Sequence, residues 1–153
     1  MVFRDDNSHL TAQEGLSTFG KQTWWKTKGM VEPGQLYRPA SLEAGRKYPV
    51  VMFVHGAGYL QNVSDRYPNY FREQMFHNLL VQRGYLVLDL DYRASQGYGR
   101  DWRTAIYRQM GHPELEDYLD GLDWLVEHRQ GDRERAGIYG GSYGGFMTFM
   151  ALF

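Results

Sequence analysis

The sequence predicts an α/β fold built on a mostly parallel sheet, and three observations support this prediction. Two short apolar runs, residues 50–54 and 85–91, have the length of buried strands and flank a segment with helical periodicity. A strand, a helix and a strand within about 40 residues are typical of a parallel crossover unit. A third apolar segment leads into residues 140–144, Gly-Gly-Ser-Tyr-Gly, which a helix-compatible run follows. We therefore expect strands and helices to alternate around one sheet.

The composition is that of a single globular domain. The chain has 153 residues, of which 42% are hydrophobic and 16% aromatic, enough for a packed core. A formal net charge of -1 without a clustered basic face gives no reason to expect a nucleic-acid partner or an anionic membrane surface. The absence of cysteine excludes disulfides and thiolate catalysis. No signal peptide and no apolar run of about 18 residues is present, so we expect a soluble protein, cytoplasmic or periplasmic.

The amino-terminal part of the chain divides into two stretches. Residues 1–22 are polar and show no periodicity, so we expect a surface lead-in before a domain that spans residues 23–153. The aromatic and β-branched residues between positions 23 and 38 predict one or two edge strands. The turn-forming pair Pro33-Gly34 predicts a break between them.

Two long helices are expected between the strands. The first spans residues 69–83 and ends at Gly84; the second begins at Pro113 and ends at Gly131. A short helix is expected at residues 100–110. Large apolar residues recur at helical spacing in both long helices and are expected to form their buried faces. These residues are Phe71, Met75, Phe76, Leu79 and Leu80 in the first helix, and Leu115, Tyr118, Leu119, Leu122, Leu125 and Val126 in the second.

Polar side chains on these elements are interpreted as structural or solvent-facing. The acidic residues of the second helix are expected to form a solvated face, and the histidines other than His55 are expected at the surface or at helix ends. An ion pair that fixes the loop after the second apolar strand is favoured over a substrate site there. The acidic residues are Glu114, Glu116, Asp117, Asp120 and Asp123; the histidines are His9, His77, His112 and His128; the loop residues are Asp89, Asp91 and Arg93.

The bend around Ser142 is the candidate catalytic element. Gly-x-Ser-x-Gly between a buried strand and a helix is typical of a nucleophile elbow, whose serine has a strained backbone. Strand and helix pass so closely there that the residues two before and two after the serine must be small, which Gly140 and Gly144 satisfy. The amide of Tyr143 then points to where an oxyanion would form. The alternative is a glycine-rich connection that happens to contain a serine.

Three motifs of the chain resemble the catalytic domain of the prolyl oligopeptidase family of serine peptidases, especially its acylaminoacyl-peptidase-like and dipeptidyl-peptidase-IV-like branches. They are Tyr48-Pro49-Val50-Val51 through His55-Gly56, Asp91-Tyr92-Arg93-Ala94-Ser95-Gln96-Gly97-Tyr98-Gly99, and Gly140-Gly141-Ser142-Tyr143-Gly144-Gly145. The resemblance implies an α/β-hydrolase fold, a Ser/Asp/His triad and cleavage of short peptides, with no cofactor. It also implies a β-propeller in complete members.

The resemblance also implies roles for individual residues. Ser142 corresponds to the nucleophile, and Tyr143 to the residue whose amide is one oxyanion donor and whose ring borders the specificity pocket. The second donor lies in the loop after the first buried strand. His55 stands there where the dipeptidyl and prolyl branches have a tyrosine, so the Gly56 amide is the candidate, as in the acylaminoacyl branch. A role for His55 as a substitute base is a further alternative to a role in this loop or in packing.

The triad is not complete in this sequence. In α/β hydrolases an acid and a histidine follow the serine in chain order, and residues 143–153 contain no Asp, Glu or His. Six of the last eight residues are large and apolar. We therefore expect the first half of a hydrolase domain, inactive alone. Its expected partners are a peptide substrate, the missing carboxyl-terminal half and a β-propeller, and a homo-oligomer is an open possibility.

Two alternatives to a serine peptidase stay open at this point. One is a carboxylesterase that acts on small acyl esters with the same serine. The other is a truncated, non-catalytic protein that binds a partner through the apolar helix after Ser142.

Overall fold

The computed structural model describes residues 21–27, 30–64 and 69–153. Of the predicted lead-in at residues 1–22, residues 1–20 lie outside these ranges and the last two begin the first strand. Within the described residues the elements alternate as the α/β prediction requires. The strands are β1 Lys21–Thr27, β2 Met30–Tyr37, β3 Tyr48–Val54, β4 Leu86–Leu90 and β5 Gly131–Gly140. The helices are α1 Phe71–Gln82, α2 Arg100–Thr104, α3 Pro113–His128 and α4 Tyr143–Met150.

The five strands form one mixed sheet in the order β1-β2-β4-β3-β5. β3 pairs in parallel with both β4 and β5, and β2 pairs antiparallel with β1 and β4. The predicted crossover unit β3-α1-β4 is therefore confirmed. Since β3 lies between two parallel strands, its Val54 is opposite Gly140 of β5, and the carboxyl ends of β3, β4 and β5 share one edge of the sheet.

The main core lies between the sheet and helices α3 and α4. Leu86 and Leu88 of β4 are fully buried, and so are Leu125 of α3 and Met147 of α4. The hydroxyl of the equally buried Tyr118 donates a hydrogen bond to the carbonyl of Phe53 at 2.8 Å, which ties α3 to β3. This packing places the first turn of α3 and the start of α4 beside the carboxyl edge of the sheet.

Three expectations about the strands were wrong. Pro33 and Gly34 lie inside β2, and the strands are divided elsewhere, since β1 ends at Thr27 and β2 begins at Met30. β2 is an inner strand between β1 and β4, because β1 shields its other side. β5 is also less buried than expected: residues 133–137 are exposed, because β5 ends the order of the described strands and pairs with β3 alone.

The buried face of α1 is not the one that the apolar periodicity predicted. Phe71, Met75, Phe76 and Leu79 are 42%, 66%, 44% and 45% exposed. The helix instead buries His77 and Val81, which are one turn apart. The His77 ring lies 4.9 Å from the Tyr37 ring and 5.2 Å from the Phe53 ring. The helix face that carries His77 is therefore buried because it packs against aromatic residues of the sheet. His77 is therefore a core residue, and its predicted place at the surface was wrong.

Helix α3 begins at Pro113 as predicted, but its acidic side chains were partly misplaced. Glu114 and Asp117 are fully buried, whereas Leu119 is 45% exposed. Their partners on other elements account for this burial, as described below. The helix ends at His128, and Gln130, with φ 62°, adopts the left-handed conformation expected of Gly131, the first residue of β5. The short helix α2 covers only the first half of the predicted segment.

Candidate active site

Ser142 lies in a strained turn between β5 and α4. Its backbone has φ 56° and ψ -118°, a region that side chains with a Cβ rarely occupy and that costs about 1 to 3 kcal/mol. The residue is exposed, at the carboxyl edge of the sheet. The surrounding strand and helix hold the serine in this conformation, so its hydroxyl is presented outside the sheet.

Two glycines make the turn possible because they allow close contact with the end of β3. A Cβ on Gly140 would overlap the carbonyl oxygen of Val54 and would lie 2.8 Å from Cα of Gly144. A Cβ on Gly144 would overlap the same carbonyl oxygen. Backbone atoms cannot move aside as a flexible side chain can. The sequence interpretation of both positions therefore has a steric basis in the structure.

The amide of Tyr143 is at the amino-terminal end of α4. The first amide groups of a helix have no acceptor within the helix, and together they carry a partial positive charge. Two backbone hydrogen bonds form the first turn of this helix. The amide of Gly144 donates to the carbonyl of Gly141 at 2.9 Å, and the amide of Phe146 donates to the carbonyl of Ser142 at 3.1 Å. This arrangement is suited to a negative charge that develops next to Ser142.

His55 follows β3 and is completely buried. Its ring stacks on the Tyr92 ring with 4.4 Å between the centroids. Nδ1 donates to the carbonyl of Gly56 at 2.9 Å, so Nε2 is left to accept from the hydroxyl of Ser95 at 3.1 Å. Burial lowers the pKa of His55 to about 4. The ring is thus a neutral support for the loop after β3, and both of its nitrogens are engaged.

Asp91 follows β4 and holds the same loop from the other side. Oδ1 accepts from the amide of Asn62 at 2.7 Å, and Oδ2 accepts from the amide of Val63 at 3.0 Å. Oδ2 also accepts from the hydroxyl of Tyr98 at 2.7 Å. Burial raises the pKa of Asp91 to about 6 even though these hydrogen bonds oppose the rise. Asp91 therefore joins the loops after β3 and β4.

Arg93 connects the loop after β4 to helix α3. Its Nε donates to Oδ1 of Asp117 and its backbone amide to Oδ2, both at 2.6 Å. Its guanidinium also donates to the carbonyl of Pro113 at 2.6 Å and to Glu116 at 3.0 Å. The expected ion pair in this loop is present, but its acidic partners are on α3 rather than at positions 89 and 91.

The ring of Tyr143 is held between the loop after β3 and α3. A Cβ on Gly58 would lie 3.1 Å from its ring, and the ring stacks at 6.2 Å on that of Tyr92. Its hydroxyl donates to Oε1 of the buried Glu114, and Oε2 of Glu114 accepts from the amide of Gly111 at 2.9 Å. Burial and the Glu114 carboxyl raise the pKa of Tyr143.

The structure brings the predicted residues together and adds two that the sequence interpretation missed. One point, where a Cβ on Gly56 would lie, is 3.0 Å from the hydroxyl of Tyr70, 3.4 Å from the carbonyl of Gly141 and 3.6 Å from Cβ of Ser142. Tyr70 and Glu114 are the additional residues. A signal for Glu114 existed in the sequence: it stands four residues before Tyr118, which stands four before Leu122, so the helical period places it on the apolar face. The buried residues of α3 are Pro113, Glu114, Asp117, Tyr118, Gly121, Leu122 and Leu125.

A comparison with protein families decides the relationship of the chain. The sequence pattern of the prolyl oligopeptidase family matches residues 70–153, more than half of the chain, including Asp91, Ser142 and Tyr143. The chain belongs to the prolyl oligopeptidase family. The resemblance seen in the three sequence motifs is therefore confirmed, and so is the α/β-hydrolase character of the fold.

Individual members of this family are similar in sequence and in structure. Dipeptidyl peptidase 8 of Homo sapiens is 38% identical over 129 residues, which are 82% of this chain and 14% of that protein. The acylaminoacyl peptidase of Pyrococcus horikoshii has a TM-score of 0.72 at 33% identity, over 90% of this chain and 21% of the other. Dipeptidyl peptidase 4 of Porphyromonas gingivalis has a TM-score of 0.74 at 30% identity, over 90% of this chain and 19% of the other.

The chain thus spans about a fifth or less of the length of these prolyl oligopeptidase family members. Across the described residues, none of the helices has both the length and the apolar character needed to cross a membrane. Nor do His, Asp and Glu side chains in the described ranges form a group of three that could bind a metal ion.

Proposed function

We propose that this chain supplies the nucleophile and the oxyanion-binding groups of a serine peptidase that hydrolyses short peptides. The observation that carries the proposal is the strained, exposed Ser142 at the carboxyl edge of the sheet, next to the free amide end of α4. Membership of the prolyl oligopeptidase family supports the reaction class. The fold alone would not, since related folds host many activities.

In the proposed reaction, Oγ of Ser142 attacks the carbonyl carbon of a peptide bond and its proton passes to a general base. The carbonyl oxygen becomes an oxyanion, which accepts a hydrogen bond from the amide of Tyr143. Collapse of the intermediate breaks the C–N bond, and the base returns the proton to the leaving amine. Water then hydrolyses the acyl-enzyme by the same steps, which releases the acid and restores Ser142.

The general base is not assigned to a histidine of this chain. His55 and His77 are buried, and burial lowers the pKa of each to about 4. Residues 143–153 contain no histidine. Because the chain spans about a fifth or less of the length of its relatives, we place the proposed base and its acid partner in other parts of the full-length protein, and we propose that the 153-residue chain alone is inactive. A β-propeller is proposed as a further part of that protein.

The test is active-site labelling of the full-length protein with a fluorophosphonate probe. We expect labelling of Ser142 and none in Ser142→Ala, and the full-length protein should cleave a peptide anilide as well as the intrinsically more reactive nitrophenyl ester. Removal of the nucleophile should lower kcat about a million-fold. An intact, folded protein that the probe does not label would contradict the proposal, and hydrolysis of the ester without any cleavage of the anilide would assign a carboxylesterase instead.

A further inference from the structure

Tyr70 lies directly before α1, and its side chain contacts β3 and the loop that follows β3. The ring packs edge-on against Phe53 of β3, with 5.3 Å between the centroids and an angle of 69°. The hydroxyl is 2.7 Å from the amide nitrogen of Gly56, which donates a hydrogen bond to it. Tyr70 is thus positioned by the core on one side and by the loop after β3 on the other.

This hydrogen bond uses the amide that the sequence assigned to the oxyanion. The N–H of Gly56 points to the oxygen of Tyr70, so a substrate carbonyl could accept from it only after the phenol moved away. The Tyr70 hydroxyl and the Ser142 side chain both lie near the same point of the loop after β3. The point where a Cβ on Gly56 would lie is 3.0 Å from this hydroxyl and 3.6 Å from Cβ of Ser142.

The proton of the Tyr70 hydroxyl is available to a ligand. A phenol has one proton to donate and two lone pairs, and the Gly56 amide occupies a lone pair. Among the described residues, no side chain or carbonyl accepts the proton. A hydroxyl that accepts a hydrogen bond becomes a stronger donor, because the two bonds polarise each other.

We infer that Tyr70 is a catalytic residue of the proposed reaction and supplies the second hydrogen bond to the oxyanion, with the Gly56 amide behind it as a positioning group. The substrate carbonyl would then accept from the amide of Tyr143 and from the hydroxyl of Tyr70. This inference rests on the proposed role of Ser142. The second oxyanion donor is then the Tyr70 hydroxyl, and not the Gly56 amide that the sequence resemblance implied.

The experiment compares wild type, Tyr70→Phe and Tyr107→Phe in the full-length protein. Phenylalanine keeps the ring that packs on Phe53 and removes only the hydroxyl; Tyr107 is 73% exposed and serves as the matched control. The readouts are the rate of fluorophosphonate labelling, kcat and KM on a peptide anilide, and the melting temperature. Loss of one oxyanion donor lowers kcat about 100-fold or more. We expect this loss in Tyr70→Phe with KM within about twofold, and no change in Tyr107→Phe.

A boronic acid provides a second measurement that needs no turnover. Phenylboronic acid adds to the serine as a tetrahedral anion, so its Kd should rise by about the same factor in Tyr70→Phe. Suppose that wild type is labelled and that folded Tyr70→Phe is within about threefold of wild type in both labelling rate and boronate Kd. The Tyr70 inference is then overturned and the proposed function stands. If wild type is not labelled, the proposed function and the Tyr70 inference are both overturned. Fluorotyrosine at position 70, with a more acidic hydroxyl, replaces phenylalanine if that variant does not fold, and an unchanged boronate Kd would overturn the inference.

Discussion

The hydroxyl of Tyr143 donates a hydrogen bond to Glu114, a carboxyl with no exposed surface at the start of α3. The residue after the proposed nucleophile is thereby attached to a helix that lies 29 positions earlier in the chain. Gly111 holds the other oxygen of the same carboxyl. The orientation of the Tyr143 ring is therefore set by α3 as well as by its own helix.

The first prediction concerns this hydrogen bond. Tyr143→Phe leaves Oε1 of Glu114 buried without its donor, and an unsatisfied buried group costs about 1 to 3 kcal/mol. We expect the free energy of unfolding to fall by that amount, as measured by urea denaturation. Tyr107→Phe, at a mostly exposed tyrosine, is the control and should be unchanged. Equal stabilities of the two variants would show that the bond contributes nothing.

The second prediction concerns the glycines of the elbow. Gly144→Ala places a Cβ on the carbonyl oxygen of Val54, so strand and helix must separate, at a cost of about 1 to 3 kcal/mol. Labelling of Ser142 in the full-length protein should be lost with it. Gly145→Ala is the matched control, since its Cβ would be 3.5 Å from the nearest atom, the carbonyl oxygen of Gly140. Gly145→Ala should leave the free energy of unfolding unchanged or raise it by up to about 1 kcal/mol, because alanine has the higher helix propensity.

The third prediction concerns pH and His77. Burial lowers its pKa in the folded protein from 6.5 to about 4, so between these values the unfolded chain binds the additional proton. The free energy of unfolding therefore contains a His77 contribution that is fully present above about pH 6.5 and is lost as the pH falls toward 4. The gap between the two pKa values corresponds to about 3 kcal/mol.

The variant His77→Phe isolates that contribution, because it keeps a ring among Tyr37, Phe53 and Tyr139 and leaves the other titrating groups in place. Between about pH 7 and about pH 4.5, wild type should lose about 2 to 3 kcal/mol more than the variant in urea denaturation. Parallel pH profiles for the two proteins would contradict the prediction.

The fourth prediction concerns the loop after β3. Asp91→Asn replaces one carboxyl oxygen by an amide nitrogen, so the amide of Asn62 or the donors Val63 and Tyr98 lose their acceptor. We expect a loss of about 1 to 3 kcal/mol and faster hydrogen exchange of the Asn62 and Val63 amides. Asp101→Asn, at a carboxyl with 91% exposure, should change neither quantity.

Local sequence patterns were sufficient for the two inner strands β3 and β4 and for the turn at Ser142. The runs in β3 and β4 are apolar because both faces are covered, and their lengths suit strands rather than helices. Glycines at positions 140 and 144 reflect a steric requirement that the carbonyl group of Val54 imposes. For these elements the cause of the structure lies within a few residues, so the sequence displays it directly.

Contacts between distant segments were not predictable in the same way. Asp117 is buried because Arg93 reaches it from another loop, and Glu114 because Tyr143 does. His77 is buried because the sheet presents aromatic rings to that side of α1. For the same reason, four apolar side chains of α1 are exposed among the described residues: those of Phe71, Met75, Phe76 and Leu79. Each error followed from assigning a side chain by its own polarity when a partner far along the chain decided its place.

The carbonyl group of Val54 limits the size of the side chain at positions 140 and 144, because it leaves room there only for the hydrogen atoms of glycine. A first methyl group at either site would already push β5 and α4 away from β3, and the gap so created would accept a second methyl at little additional expense. The losses of folding free energy from alanine at the two positions should therefore be strongly non-additive. Reverting one site of such a double variant to glycine would restore almost none of the lost stability, so both glycines are required at the same time.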